Sequence, residues 1–548
     1  MKKFSSIGAM LVAVFLLVSC SSNDKSGLTA IPKNAGMVLV FNGKSLSEKS
    51  GVKDFTQTKA YKKMLEEMSP EDMQHLNRFN YILKDVNETG IGINDEFMMF
   101  AAMQDQNLLV GINFKVKDRA KLETLMKTIV DDPETEVVIA EEAGISTMLL
   151  PDNEGIFCWD DNQLLLMGGE DLETTDLGAM ARNLLQQGAS SSIQANPHFE
   201  NFYKNKKDIS FWMDYSLIEQ NMPPAQQMMM AAQMPFTMKG MYVSAFAEFK
   251  NGAVVISYES ELNNQMKKLM EEYPIIKDEF DMDALKVIPE NSLANMELAF
   301  NFYEYYQLLM SLYKDKQINF DQYTGQFEQQ LGMTIEEFLK GFSGEMAISV
   351  HGLQMTEKTR KDFQFIDGEL IEQETTALEP EVLFSTVIRF SEDKVWDLID
   401  TKISEMGLTK ENGIYTIPNT EIYFVYDAKN LLVSNDMELI GTVAENGEID
   451  PNLAHSEVAD HLKKFPTYME VDLDTDTYPQ DVMDYLREKG GDDFDVLYNA
   501  LSIYKKLRVI PIDKTSAKAI LELKDDSKNS LELILNSFDE TIDVVSQR

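Results

Sequence analysis

Sulfur is the most concentrated source of chemistry in this chain. Of its 33 methionines, Met222, Met228, Met229, Met230, Met234, Met238 and Met241 crowd one tract. Thioethers are soft ligands suited to Cu(I), and the spacing of Met230, Met234 and Met238 would align them on one helical face. No histidine or cysteine joins the tract to strengthen metal capture. We therefore expect no metal there, and read Met228, Met229, Met230, Met234 and Met238 as a deformable interaction surface, with ordinary core filling as the alternative. Asp472-Leu473-Asp474-Thr475-Asp476 opens like a calcium loop. It then fails, because Thr477 stands where the glycine belongs and Met483 where the bidentate glutamate belongs. His75, His198, His351, His455 and His461 make no zinc motif, and Gly341-Phe342-Ser343-Gly344 falls short of a nucleophile elbow. Paired carboxylates of the glycosidase kind depend on the fold and cannot be picked from 91 acidic residues. No catalytic residue and no cofactor are assigned.

The remaining sulfur chemistry lies in two cysteines. Cys158 sits in the apolar run Ile156-Phe157-Cys158-Trp159, where a strand would bury it as an inert thiol. Cys20 closes Leu17-Val18-Ser19-Cys20 after the cations Lys2 and Lys3 and an apolar stretch from Ile7 to Val18. That stretch is shorter than the roughly 20 residues a bilayer span needs, so residues 1–19 read as a cleaved export signal. The motif resembles the lipobox of bacterial lipoproteins. The resemblance implies lipidation of Cys20, which becomes the first mature residue, with residues 20–27 as a polar tether. Two or three acyl chains hold stably where one does not, at about 0.8 kcal/mol per buried methylene.

Composition limits the partners. Fifty Lys and Arg against 91 Asp and Glu give a net charge of −41. Nucleic acid is disfavoured, because phosphate contacts need clustered cations. Anionic membrane surfaces repel such a body, so attachment falls to the lipid.

The elements that would position any site show an internal repeat. Ile31-Pro32-Lys33-Asn34-Ala35 leads into Met37-Val38-Leu39-Val40-Phe41-Asn42, and Ile288-Pro289-Glu290-Asn291-Ser292 leads into Met296-Glu297-Leu298-Ala299-Phe300-Asn301. A strand ending near Val116 precedes a helix with Leu122, Leu125, Met126 and Ile129 on one face. A strand ending at Phe390 precedes another with Val395, Leu398, Ile399 and Ile403. Asp118 and Ser391 are suitable N-caps for these helices. Gly144 to Leu166 matches Gly413 to Val433 as strand, turn, strand, turn, strand. The matches keep their order through Asp214 and Asp472 to a final hairpin in each half. The expected fold is α+β, a tandem duplication of two antiparallel-sheet-rich domains with amphipathic helices, spanning 28–280 and 287–548. The second half carries an extra charged segment from about His351 to Pro380, expected to be a surface insertion in a long loop.

Over its full length the chain resembles an uncharacterised family of Bacteroidetes envelope lipoproteins, through the lipobox ending at Cys20, the Ile31-Pro32-Lys33-Asn34-Ala35 segment and the long acidic body. The resemblance implies an exported, lipid-anchored protein of the outer membrane, facing either the periplasm or the outside. We expect a non-enzymatic binding or structural and assembly module with an envelope protein or glycan partner. The alternative is an envelope carbohydrate-processing accessory protein or hydrolase using paired carboxylates.

Overall fold

The computed structural model describes residues 26–52, 55–67, 85–104, 107–130, 138–150, 155–169, 176–220, 236–313, 320–366, 369–405 and 407–546. They form two compact units. One draws on Met1–Asn263 with Asp525–Arg548, the other on Asn264–Lys524.

The first unit is built on ten antiparallel strands: β1 (Ala35–Asn42), β2 (Glu96–Gln104), β3 (Asn107–Lys115), β4 (Ile139–Glu142), β5 (Ile145–Leu149), β6 (Gly155–Trp159), β7 (Gln163–Gly169), β8 (Ile209–Asp214), β9 (Tyr242–Lys250) and β10 (Ala253–Glu261). They stand in the order β10-β9-β8-β1-β2-β3-β7-β6-β5-β4. The sequence of β1 alternates, so that Val38 and Val40 point into the core. Val38 lies between Phe100 and Trp212 on the neighbouring strands, and all three are fully buried. Opposite Phe100 stands Gly111, where an added Cβ would come within 2.3 Å of the ring, so glycine makes the room the aromatic fills.

Helices Leu177–Gln186 and Pro197–Lys204 contribute Leu177, Ala181, Phe199 and Phe202 to this core. Their starts are fixed by Asp176 and Asn196, whose side chains accept from first-turn N–H groups, with Pro197 preset for the first helical position. Helix Arg119–Val130 buries Leu122, Leu125 and Met126 in a second cluster with Phe114, Trp159 and Leu164. Asp118 caps it, accepting from the Lys121 N–H at 3.1 Å. The last helix, Ser530–Ser546, packs on helices Gly43–Ser50 and Lys59–Glu67 of this same unit.

In the second unit the strands are β11 (Ala294–Ala299), β12 (Phe342–Ile366), β13 (Glu369–Phe390), β14 (Thr409–Glu411), β15 (Ile414–Thr416), β16 (Tyr423–Asp427), β17 (Asn430–Ser434), β18 (Thr467–Asp472), β19 (Tyr504–Asp513) and β20 (Ser516–Leu523). Their order is β20-β19-β18-β11-β12-β13-β17-β16-β15-β14, strand for strand the order of the first unit. The β4–β5 turn, Ala143-Gly144, and the β14–β15 turn, Asn412-Gly413, both place two residues at positive φ, as two-residue hairpins require. Helix Asp393–Glu405 buries Val395 and Trp396. Ser391 is not its cap: the helix begins two residues later, and the Ser391 hydroxyl donates to the Lys340 carbonyl at 2.7 Å.

The charged segment from His351 to Pro380 is a continuation of the sheet rather than a loop. Strands β12 and β13 stay paired from Gly352 opposite Leu383 out to Ile366 opposite Glu369. At about 3.3 Å per residue the ribbon is on the order of 50 Å long. Its register shifts between Val350 and Gly352, and the extra residue there is His351, so a bulge marks where the arm leaves the sheet.

Candidate functional site

Several sequence candidates fall outside the described residues: Cys20, and Met228, Met229, Met230 and Met234 of the methionine tract. Met238 is described. It is half-buried, and its N–H donates to Glu219 Oε1 at 2.6 Å. Cys158 is a free, fully buried thiol, and burial pushes its pKa up to about 12, so it stays protonated and inert. The acidic run at Asp472 is a stack of turns. The Asp474 N–H donates to the Asp472 carboxylate and the Asp476 N–H to that of Asp474, while Lys524 Nζ reaches both Asp474 and Asp476 at 2.7 Å. Among the described residues no group of three or more His, Cys, Asp or Glu is placed to hold a metal ion. Among them, too, no helix is long and apolar enough to cross a membrane.

Three features remain that could serve function. The first is a cleft in the first unit, walled by helix Pro197–Lys204 and strands β8, β9 and β10. A column of rings runs through it: His198 stacks on Tyr242 at 4.2 Å, and Tyr242 on Trp212 at 5.7 Å. Glu261 Oε2 holds His198 Nδ1 at 2.9 Å. Burial, with help from Asp214 and Glu261, raises the Tyr242 phenol, which stays protonated. Trp212 is fully buried, and its indole Nε1–H has no hydrogen-bond partner. The space in the cleft is about 20 Å³, room for a single water-sized group.

The second feature is an acid in the core of the second unit. Glu297 on β11 stands between Ala347 and Tyr468, the strand position that Val38 holds between Phe100 and Trp212 in the first unit. It is fully buried, and neither carboxyl oxygen has a partner. Burial first, and then the Glu470 carboxylate, hold it well above the usual carboxylate range. Around it the neighbours are charged and engaged with one another, except that the buried Arg508 Nε–H has no partner. Glu470 accepts from Tyr468 Oη and Lys506 Nζ, each at 2.7 Å, and Arg508 pairs with Glu522.

The third is the β12–β13 arm, whose two faces differ. On one, Glu381 gathers Thr356 Oγ1 at 2.8 Å and Lys358 Nζ at 3.4 Å. On the other, Leu353, Met355, Leu378 and Val382 alternate along the ladder, with Leu378 56 % and Val382 49 % exposed. Sequence reading placed function in none of these three. The clearest signal for the second was the replacement of Val38 by Glu297 between two otherwise matching runs.

Comparison with known proteins adds a family without an activity. No curated protein sequence matches the chain. Three crystal forms of TP0453 align with 44–47 % of this chain and 83–89 % of their own, at 9–10 % identity. Their TM-scores of 0.24–0.25 are too low to bear on fold or function. A sequence profile described as a domain of unknown function, DUF4836, matches residues 29–531, and the chain therefore belongs to the DUF4836 family.

Proposed function

We propose that the protein is a lipid-anchored component of the bacterial outer membrane, a non-enzymatic binding or structural module that engages an envelope protein through the β12–β13 arm. The observation that carries this reading is the arm itself. A two-stranded ribbon is marginal in water without something to pack on, and this one runs on for fifteen cross-strand pairs beyond the sheet, touched by helix Gln480–Leu501 and carrying a row of Leu353, Met355, Leu378 and Val382 on one face of its first rungs. A partner covering Leu378 and Val382 would remove that row from water. The hydrolase alternative asks for an acid that meets a substrate, whereas Glu297, the carboxyl that burial holds well above the usual carboxylate range, is sealed in the core. The same reading takes the two halves as tandem copies, supported by their common strand order and by the matched turns at Ala143-Gly144 and Asn412-Gly413.

Two measurements test it. With a photo-crosslinking residue at position 378 or 382 in intact cells, we expect discrete adducts to envelope proteins that the same probe at exposed Phe538, in helix Ser530–Ser546 of the first unit, does not form. Equal adducts at 378 and 538 would remove the arm from the account. Independently, Cys20→Ala should shift the protein from the membrane pellet to the soluble fraction. A variant that stays in the pellet would end the lipid-anchor reading.

A further inference from the structure

We propose that the β12–β13 arm is latched to the second unit at its root by the loop Ser434-Asn435-Asp436, and that protonation of His351 opens the latch, so that the arm is held at neutral pH and freed in acid. The main-chain ladder between β13 and β17 ends at Ser385 opposite Ser434. Beyond it the Asn435 side chain takes over: its Oδ1 accepts from the Phe384 N–H at 2.9 Å, and its Nδ2 donates to the Val382 carbonyl at 2.8 Å. Those bonds hold β13. The other strand of the arm is held through His351, the extra residue of the bulge, whose Nε2 meets Asp436 Oδ2 at 3.2 Å. Asp436 is itself fixed, because its Oδ1 caps helix Met437–Asn446 by accepting from the Glu438 and Leu439 N–H groups. One loop therefore grips both strands where the arm leaves the sheet, at the bulge that aims it.

The grip suits a neutral ring only. An ionised carboxylate can only accept, so Nε2 carries the hydrogen and Nδ1 keeps the lone pair. The His351 side chain is 6 % exposed, and Nδ1 is buried with no partner. A second proton would create an N–H there with no acceptor, beside a helix N-terminus whose free amides disfavour positive charge. Burial accordingly lowers the His351 pKa from its ordinary 6.5, against the opposing pull of Asp436. Among the described residues Asp436 is the charged group that acts on the ring. Other charges on neighbouring elements are occupied: Glu381 on β13 holds Thr356 and Lys358, Asp283 and Lys286 pair with each other, and Asp481 and Asp484 accept from the Val482 N–H and Gln480. Glu438 is exposed, and Glu297 stands opposite Ala347, four residues back along β12. In the released arm the ring meets water and titrates near 6.5. The latch is therefore intact above that pH and weakens by up to about tenfold per unit below it, until the latched ring is itself protonated.

The latch regulates the arm, so its use rests on the arm being the binding element, but its test needs no partner. Amide hydrogen exchange of the mature full-length chain, corrected for the intrinsic pH dependence of exchange, is compared at pH 7.5 and pH 5. We expect protection over residues 350–356 and 381–386 to fall about tenfold or more in acid. Glu297 acts in the opposite sense, since its retained proton favours the native state as the pH falls. His351→Gln can still donate to Asp436 but does not titrate, and should keep the protection at both pH values. If it fails to fold, Asp436→Asn, which keeps a helix-capping oxygen, should lower protection at pH 7.5 to the level the natural chain shows at pH 5. The inference is overturned if protection of the arm root in the natural chain does not fall in acid, or if the first folded variant of the two behaves like the natural chain. Adducts from position 378 or 382 at pH 7.5, found alongside such a result, would leave the binding role of the arm standing and remove the latch alone.

Discussion

Glu297→Met should stabilise the second unit by about 2–4 kcal/mol at pH 8, and by less at pH 5. A buried acid with neither oxygen partnered carries the desolvation cost of a polar group with nothing to offset it. Methionine has a similar length and volume and no such cost, and it suits a position where the matching strand of the first unit carries Val38. The pH dependence follows from the direction of the shift. The folded pKa lies well above the unfolded value of 4.5, so the native state keeps a proton that the unfolded chain has released. Each unit of pH above 4.5 then costs the native protein up to about 1.4 kcal/mol, until Glu297 itself ionises. The penalty is absent below the unfolded pKa and fully present above the folded one. Hydrogen exchange of the β11, β12 and β18 amides, measured from pH 5 to pH 8, localises the effect. A variant less stable than the natural chain at pH 8 would show that Glu297 is held by interactions it does not make in this structure.

That position also shows why parts of the molecule were legible in the sequence and others were not. Within Met296-Glu297-Leu298 the period of two, taken alone, turns the apolar pair inward and the glutamate outward. The fold does the reverse, with Met296 46 % exposed and Glu297 buried. Only the neighbouring strands decide which face is inside. The helix at Arg119–Val130, the run of short strands and turns from Gly413 to Val433 and the α+β, antiparallel character were readable because local spacing and turn chemistry alone specify them. Sequence reading makes the arm a loop because Glu374, Thr375, Thr376 and Ala377 are exposed and carry none of the apolar alternation that marks a half-buried strand. Its remaining signal, Asp367-Gly368 between the paired Ile366 and Glu369, is a favoured hairpin dipeptide that the surrounding charge concealed. The cleft left no local trace, since His198, Trp212, Tyr242 and Glu261 come from four separate elements.

Asp208→Ala should have the opposite effect to Glu297→Met, destabilising the first unit by about 3–5 kcal/mol. Here too a carboxylate is buried, at 4 % exposure, but every neighbour answers it. Ser45 Oγ donates at 2.5 Å, Lys49 Nζ at 2.6 Å and the Phe249 N–H at 2.6 Å. The three donors tie helix Gly43–Ser50 to strand β9 through the residue that precedes β8, so one side chain locks three elements. Removing it leaves a half-buried ammonium and a backbone N–H without their acceptor, and the cost of those orphaned groups exceeds the modest net worth of the bonds themselves. Lys49→Met should cost less, because Ser45 and Phe249 still satisfy the carboxylate. The double variant should recover part of the loss, by about 1–3 kcal/mol of coupling in a denaturant-melt cycle. Strictly additive losses would mean that Asp208 acts through Phe249 and Ser45 alone, with Lys49 a bystander.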